Sequence, residues 1–140
     1  MSFPTIRQLL ESRLMTWAGT RTPALSVQWE NKPFSPPAGP YLRFFIIPAP
    51  TEGQALDGTH RAYTGSFQVS IVTPKNQGSE PADSIAVELE ALFPDSLRLE
   101  NGSFVLTQTS PISSGPPIQE SDRYTVPLFA FYRADTITNE

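Results

Sequence analysis

The chain has no cysteine and a single histidine, His60. Without thiols, disulfides and thiolate metal sites are excluded. With one imidazole, a zinc site or a Ser-His-acid triad would have to be built around His60. That residue sits in a polar stretch, Asp57-Gly58-Thr59-His60-Arg61, and no Gly-x-Ser-x-Gly elbow occurs. His60 therefore reads as an exposed loop histidine and Asp57-Gly58 as a turn. Gly53, Gly58 and Gly65 lack the spacing of a phosphate loop. No apolar run approaches the roughly 18 residues of a membrane-spanning helix. The opening Met1-Ser2-Phe3-Pro4 lacks the basic-then-apolar layout of a signal peptide. The expectation is a soluble protein that stays in the cell that made it until it joins something larger. Lys and Arg, ten in all, are scattered singly, so no phosphate-binding footprint is visible. No catalytic residue, cofactor or metal is expected, and the chain reads as a non-enzyme.

Proline, by contrast, is abundant: fifteen against eight glycines in 140 residues. Because proline is excluded from most helix and strand interiors, this many implies short elements joined by stiff, extended connections. The prolines gather at 33–50 and 111–117, which marks two loops within one domain, 1–140. Acid is clustered as well, at Glu80, Asp83, Glu88, Glu90, Asp95 and Glu100, within a net charge of −4. An amphipathic surface helix explains that cluster, and an acidic wall that repels DNA is the functional alternative. Glu88 and Glu90, two apart on a helix, point to different sides and do not make a paired carboxylate site.

Apolar spacing predicts a first helix over 4–17, with Ile6, Leu9, Leu10, Leu14 and Trp17 on one stripe, Ser2 as cap and Gly19 at the exit. Leu25 to Trp29 alternates as a short strand, and 31–40 is a Pro-rich loop. Tyr41 to Ile47 is apolar on both faces apart from Arg43, the pattern of a central or doubly covered strand. Ala62 to Thr73 is a long strand in which Phe67, Val69 and Ile71 alternate with Ser66, Gln68 and Ser70. Pro74 stops it, and Asn76-Gln77-Gly78 turns the chain toward a second helix, about 80–93. Ala82, Ile85, Ala86, Leu89, Leu92 and Phe93 form that helix's apolar stripe, with Ser79 as its cap. Asn101-Gly102 between two apolar runs signals a hairpin. Residues 108–122 form a second long loop. Tyr124 to Arg133 is the last strand, where Pro127 implies an edge position or a bulge. Only the second helix could act as a crossover, so the economical fold is α+β: a mostly antiparallel sheet with both helices on one face.

The strand Gly65 to Thr73, its Thr73-Pro74-Lys75 stop and the short Gly turn into an amphipathic helix resemble the tail terminator family of long-tailed bacteriophages. These are tail completion proteins like the lambda-type minor tail protein U. Three further blocks match that layout in order: the opening helix ending near Trp17, the Pro36-Pro37-Ala38-Gly39-Pro40-Tyr41-Leu42-Arg43 approach to a strand ending Ile46-Ile47-Pro48, and the Tyr-rich last strand. The resemblance implies a ring, typically a hexamer, that caps the tail tube and presents its other face to the head-tail connector. The partners would then be other copies of itself, the tail tube protein and the connector protein, with no sequence-specific nucleic acid binding and no membrane. The location would be the virion tail, after assembly in the host bacterial cytoplasm. Related folds serve elsewhere in tails and necks, so another neck or tail assembly protein of the same fold is an alternative. A small ligand-binding or enzymatic domain is a further one.

Five residues stand out as subunit-interface candidates. Phe34 is an aromatic without a local partner in an extended tract, and either folds back on its own core or enters a neighbour. Arg43 and Arg61 lie beside strand ends and long loops, where a neighbour's Asp83 and Glu90 would reach them. The isolated protein is expected to be a folded monomer or weak oligomer with mobile loops at about 31–40, 50–62 and 108–122.

Overall fold

A computed structural model describes residues 3–49, 52–53, 61–120 and 122–136. Its elements run α1 (Phe3–Thr20), β1 (Ser26–Gln28), β2 (Tyr41–Pro48), β3 (Glu52–Gly53), β4 (Arg61–Pro74), α2 (Glu80–Leu92), β5 (Arg98–Asn101), β6 (Phe104–Gln108), β7 (Ser113–Ser114), β8 (Ile118–Gln119) and β9 (Arg123–Thr136). One sheet contains all nine strands in the order β1-β2-β4-β9-β6-β5, with β3 on β4 and the short β7 and β8 on β9. Only β1–β2 is parallel. Both helices pack on one face of this sheet, so the α+β architecture expected from the element pattern is what forms.

Strand alternation divides the sheet cleanly. Leu42, Phe44 and Ile46 of β2 stand opposite Ile71, Val69 and Phe67 of β4, which in turn stand opposite Val126, Leu128 and Ala130 of β9. All nine are buried, with the helix stripes Ile6, Leu10, Leu14 and Ala82, Ile85, Leu89 laid over them. An aromatic chain crosses this core from the edge to α2: Trp29 to Phe44 (5.8 Å), Phe44 to Phe67 (6.5 Å) and Phe67 to Phe93 (5.0 Å). α1 touches both outermost strands, β1 and β5, so the sheet curls around it.

Polar side chains fasten the layers where the main chain leaves groups unpaired. Arg13 of α1 donates from Nε to the Leu92 carbonyl at the C-terminus of α2 (2.7 Å), an end that attracts positive charge. Beyond Gln28 the β1 ladder ends, and the Glu30 carboxylate takes over by accepting from the Ile46 N–H (3.0 Å) and from Arg7 of α1 (3.0 Å). Buried Gln108 donates from Nε2 to the carbonyls of Phe93 (2.8 Å) and Ser110 (2.7 Å), joining the end of α2 to the loop after β6.

Several local expectations change. α1 runs three residues past Trp17, so Gly19 lies inside its last turn, while Ser2 lies outside the described residues. Ser79 occupies the α2 cap position in a helical conformation and makes no side-chain cap bond; its carbonyl accepts from the Asp83 N–H (2.9 Å). In the hairpin Asn101 pairs with Phe104, so the two-residue loop is Gly102-Ser103. The positive φ of Gly102 (63°) at the first loop position suits a type II′ turn. Pro127 sits in a strand paired along its whole length with β4, neither at a sheet edge nor at a bulge in that pairing. Its carbonyl accepts from Gly115 (2.9 Å), so its nitrogen also faces the loop side, between β7 and β8, where no ladder bond is required. The described part of 108–122 is thus no free loop, since it runs beside β9 with two short strands. His60 and most of 50–62 lie outside the described residues.

Candidate functional surfaces

α2 presents two unlike sides. Its core stripe faces the sheet, and Glu80, Asp83, Ser84, Val87, Glu90 and Ala91 fall on the opposite arc, all exposed. Val87, at 65% exposure, is the apolar centre of an acidic ridge. Glu88 leaves this ridge for the flank, where Arg21 grips it bidentately (Nε to Oε1 3.0 Å, Nη2 to Oε2 2.6 Å). That hydrogen bonding holds the Glu88 carboxyl below its usual range and raises the Arg21 guanidinium, which also stacks on Trp17 at 5.5 Å. Asp83 and Glu90 form no ion pair among the described residues.

Among the described residues, the sheet face turned away from the helices is covered at one end only. There Tyr41, Val72 and Thr125 make a buried row across three strands. The Pro-rich segment folds over it: the Phe34 ring lies 5.2 Å from Tyr41, and Arg123 donates to the Pro37 carbonyl (3.1 Å) while stacking over Tyr41 at 5.5 Å. Arg43 borders this cluster, its guanidinium 5.8 Å from the Tyr41 ring and 3.3 Å from the Tyr41 hydroxyl.

Beyond Arg43 the described residues leave the face open. Phe45 and Ile47 of β2 and Phe129 and Phe131 of β9 rise on either side of Gln68 and Ser66 of β4. Tall apolar walls over a short polar floor make a trough, and one end of it holds a groove of about 470 Å³ lined by Ile47, Pro48, Ser66, Phe131 and Arg133 among others. Ile47 is 54% and Phe131 50% exposed, although the sequence pattern of 41–47 is that of a doubly covered strand. Under the groove, on the core face, Tyr132 packs across Gly65. A Cβ at Gly65 would lie 2.6 Å from the Ile47 carbonyl oxygen and 2.8 Å from the Tyr132 hydroxyl. Burial pushes the Tyr132 phenol up.

Phe34, Arg43, Asp83 and Glu90 are therefore not gathered in one place. Phe34 and Arg43 belong to the sheet's outer face, and Asp83 and Glu90 to the helical face behind it. Arg61 begins β4, opposite Gly53. The trough escaped notice in the sequence because its walls come from strands that are neighbours of β4 but distant in the chain. The one available signal was the doubly apolar pattern of 41–47. Among the described residues no group of three or more His, Cys, Asp or Glu could hold a metal, and no helix is long and apolar enough to cross a membrane.

Comparison with known proteins assigns this architecture. Residues 5–130 match the family model described as phage tail terminator protein. A search of curated proteins finds no match. A solved structure whose name states no function is 42% identical over 100% of this chain and 99% of its own, with a TM-score of 0.85. With the family model covering most of its length, the chain belongs to the phage tail terminator family.

Proposed function

We propose that this tail terminator closes into a ring, typically of six copies, that caps the tail tube and joins it to the head-tail connector. Its work is structural rather than catalytic, carried out in the virion tail after assembly in the host cytoplasm. The observation that carries the reading is the separation of unlike surfaces. The acidic ridge of α2 and basic Arg43 lie on opposite sides of the sheet, so one copy cannot satisfy both. Contacts between two different patches are heterologous and close into rings when the rotation allows. Six copies at −4 each carry about −24 formal charges. A bore lined by such a ring lets DNA pass without adhering.

In this reading Asp83 and Glu90 of one copy face Arg43 and Arg61 of the next, and the half-buried Phe34 ring lies at the rim of that contact. Reversing Arg43 or Arg61 to Glu sets like charges against each other at every repeated interface while leaving the fold intact. The test is complementation of a phage lacking this gene, with circular dichroism of each purified variant as the folding control. The expected result is a loss of infectious titre with an unchanged spectrum. Normal titre from both variants would sink the charge-pair arrangement.

A further inference from the structure

We propose that the trough on the outer face of the sheet is the seat for the α2 ridge of the neighbouring copy, with Val87 inserted between the walls formed by Phe45 and Phe131. This rests on the ring reading and says which two surfaces make the ring. The trough is an incomplete core: Tyr41 to Ile47 carries apolar residues on both faces, yet the described residues of one copy cover only the helix side and the Tyr41 end. Exposed apolar walls flanked by polar and charged groups suit an interface.

The occupant follows from charge, shape and length. Basic Arg43 flanks the trough at one end and Arg133 at the other. Among the described residues Arg43 is engaged only by Tyr41, and Arg133 makes a long 3.5 Å contact to Asp135. The ridge that would fill it carries Glu80, Asp83 and Glu90 around the most exposed large apolar side chain of the described residues, Val87. From Glu80 to Ala91 the ridge is about 16 Å long at the helical rise. From Thr64 to Ser70 the floor of β4 is about 20 Å long at the strand rise. Pairing of like surfaces is disfavoured on both sides, since ridge on ridge sets acid against acid and trough on trough sets Arg against Arg. Ridge into trough is complementary, and it is heterologous because the two lie on opposite sides of one sheet.

The absence of cysteine makes the test clean on this side, because introduced thiols are the only ones this chain carries. Ser66→Cys places a thiol on the trough floor and Val87→Cys one on the ridge, both at positions that are not fully buried. The full-length double variant, added to purified tail tubes lacking the terminator and treated with a short thiol cross-linker, is expected to give a ladder of covalent multimers. Each single variant stays monomeric, and the two mixed give dimers only. Dimers from Val87→Cys alone, or from Ser66→Cys alone, would overturn the proposal in favour of contact between like surfaces. A cross-link from Ser66→Cys to the tube protein would overturn it by placing another occupant in the trough. If rings are seen at tube ends without a ladder, the ring stands and this pairing falls; if neither is seen, both fall. As a second arm, Val87→Glu keeps the ridge acidic but removes its apolar centre. It is expected to lower complementing titre at least tenfold with an unchanged dichroism spectrum, and wild-type titre would overturn the proposal.

Discussion

Adding one methyl group at Gly65 tests how tightly the sheet is built beneath the trough. A Cβ there would meet the Ile47 carbonyl oxygen at 2.6 Å, the Tyr132 hydroxyl at 2.8 Å and the Pro48 Cα at 3.0 Å. Two of these are backbone atoms of the neighbouring strand, held by the register Ile47 to Ser66 and Pro48 to Gly65, so neither can swing aside. The third belongs to a phenol that is 2% exposed and packed in the core. Overpacking of this kind costs about 1–3 kcal/mol. With a urea m-value of about 1–3 kcal/mol/M, Gly65→Ala should lower the unfolding midpoint by roughly 1 M. Tyr132→Phe removes one of the three contacts and leaves the backbone ones. The double variant should therefore be less destabilised than the sum of the singles by about 0.5–1 kcal/mol in a double-mutant cycle. A Gly65→Ala protein within 0.5 kcal/mol of wild type would refute the steric reasoning. Strict additivity would remove Tyr132 from it.

Other substitutions probe the remaining joints. Leu89→Ala deletes a fully buried side chain of the α2 stripe and should cost about 2–5 kcal/mol by denaturant unfolding, whereas a loss under 1 kcal/mol would mean the stripe is not core. Gln108→Ala strips two donors from the Phe93 and Ser110 carbonyls and should cost about 1–3 kcal/mol, with the loop after β6 becoming faster in hydrogen exchange. Glu88→Gln addresses pH. Because Arg21 lowers the folded pKa of Glu88, the pair stabilises above the unfolded carboxylate range, and that contribution disappears as pH falls through the folded value. The difference between wild type and Glu88→Gln should stay under about 1 kcal/mol at neutral pH for this partly exposed pair and vanish in acid. A difference independent of pH would contradict the assignment.

Periodicity found what depends on neighbours in sequence. The stripe Ala82, Ile85 and Leu89 and the alternation Phe67, Val69 and Ile71 both declare their buried faces locally, and the fold class follows from their order. Long-range arrangements were hidden. Pro127 looked like an edge residue because the sequence does not show which side of a strand its missing N–H faces. Nothing in the local pattern marks Glu30 or Gln108, yet each satisfies main-chain groups brought to it from other elements. Of the candidate surfaces, the acidic ridge was legible in the spacing of Glu80, Asp83 and Glu90. The trough needed strand order, since Ile47 and Phe131 meet across β4 only after β9 has returned beside it.

Electron microscopy of tails assembled without this protein and then supplied with it tests the central claim most directly. The account predicts a ring at one end of each tube, with tubes held at fixed length and competent to join heads. Tubes with bare ends that neither bind the protein nor gain the capacity to join heads would contradict it.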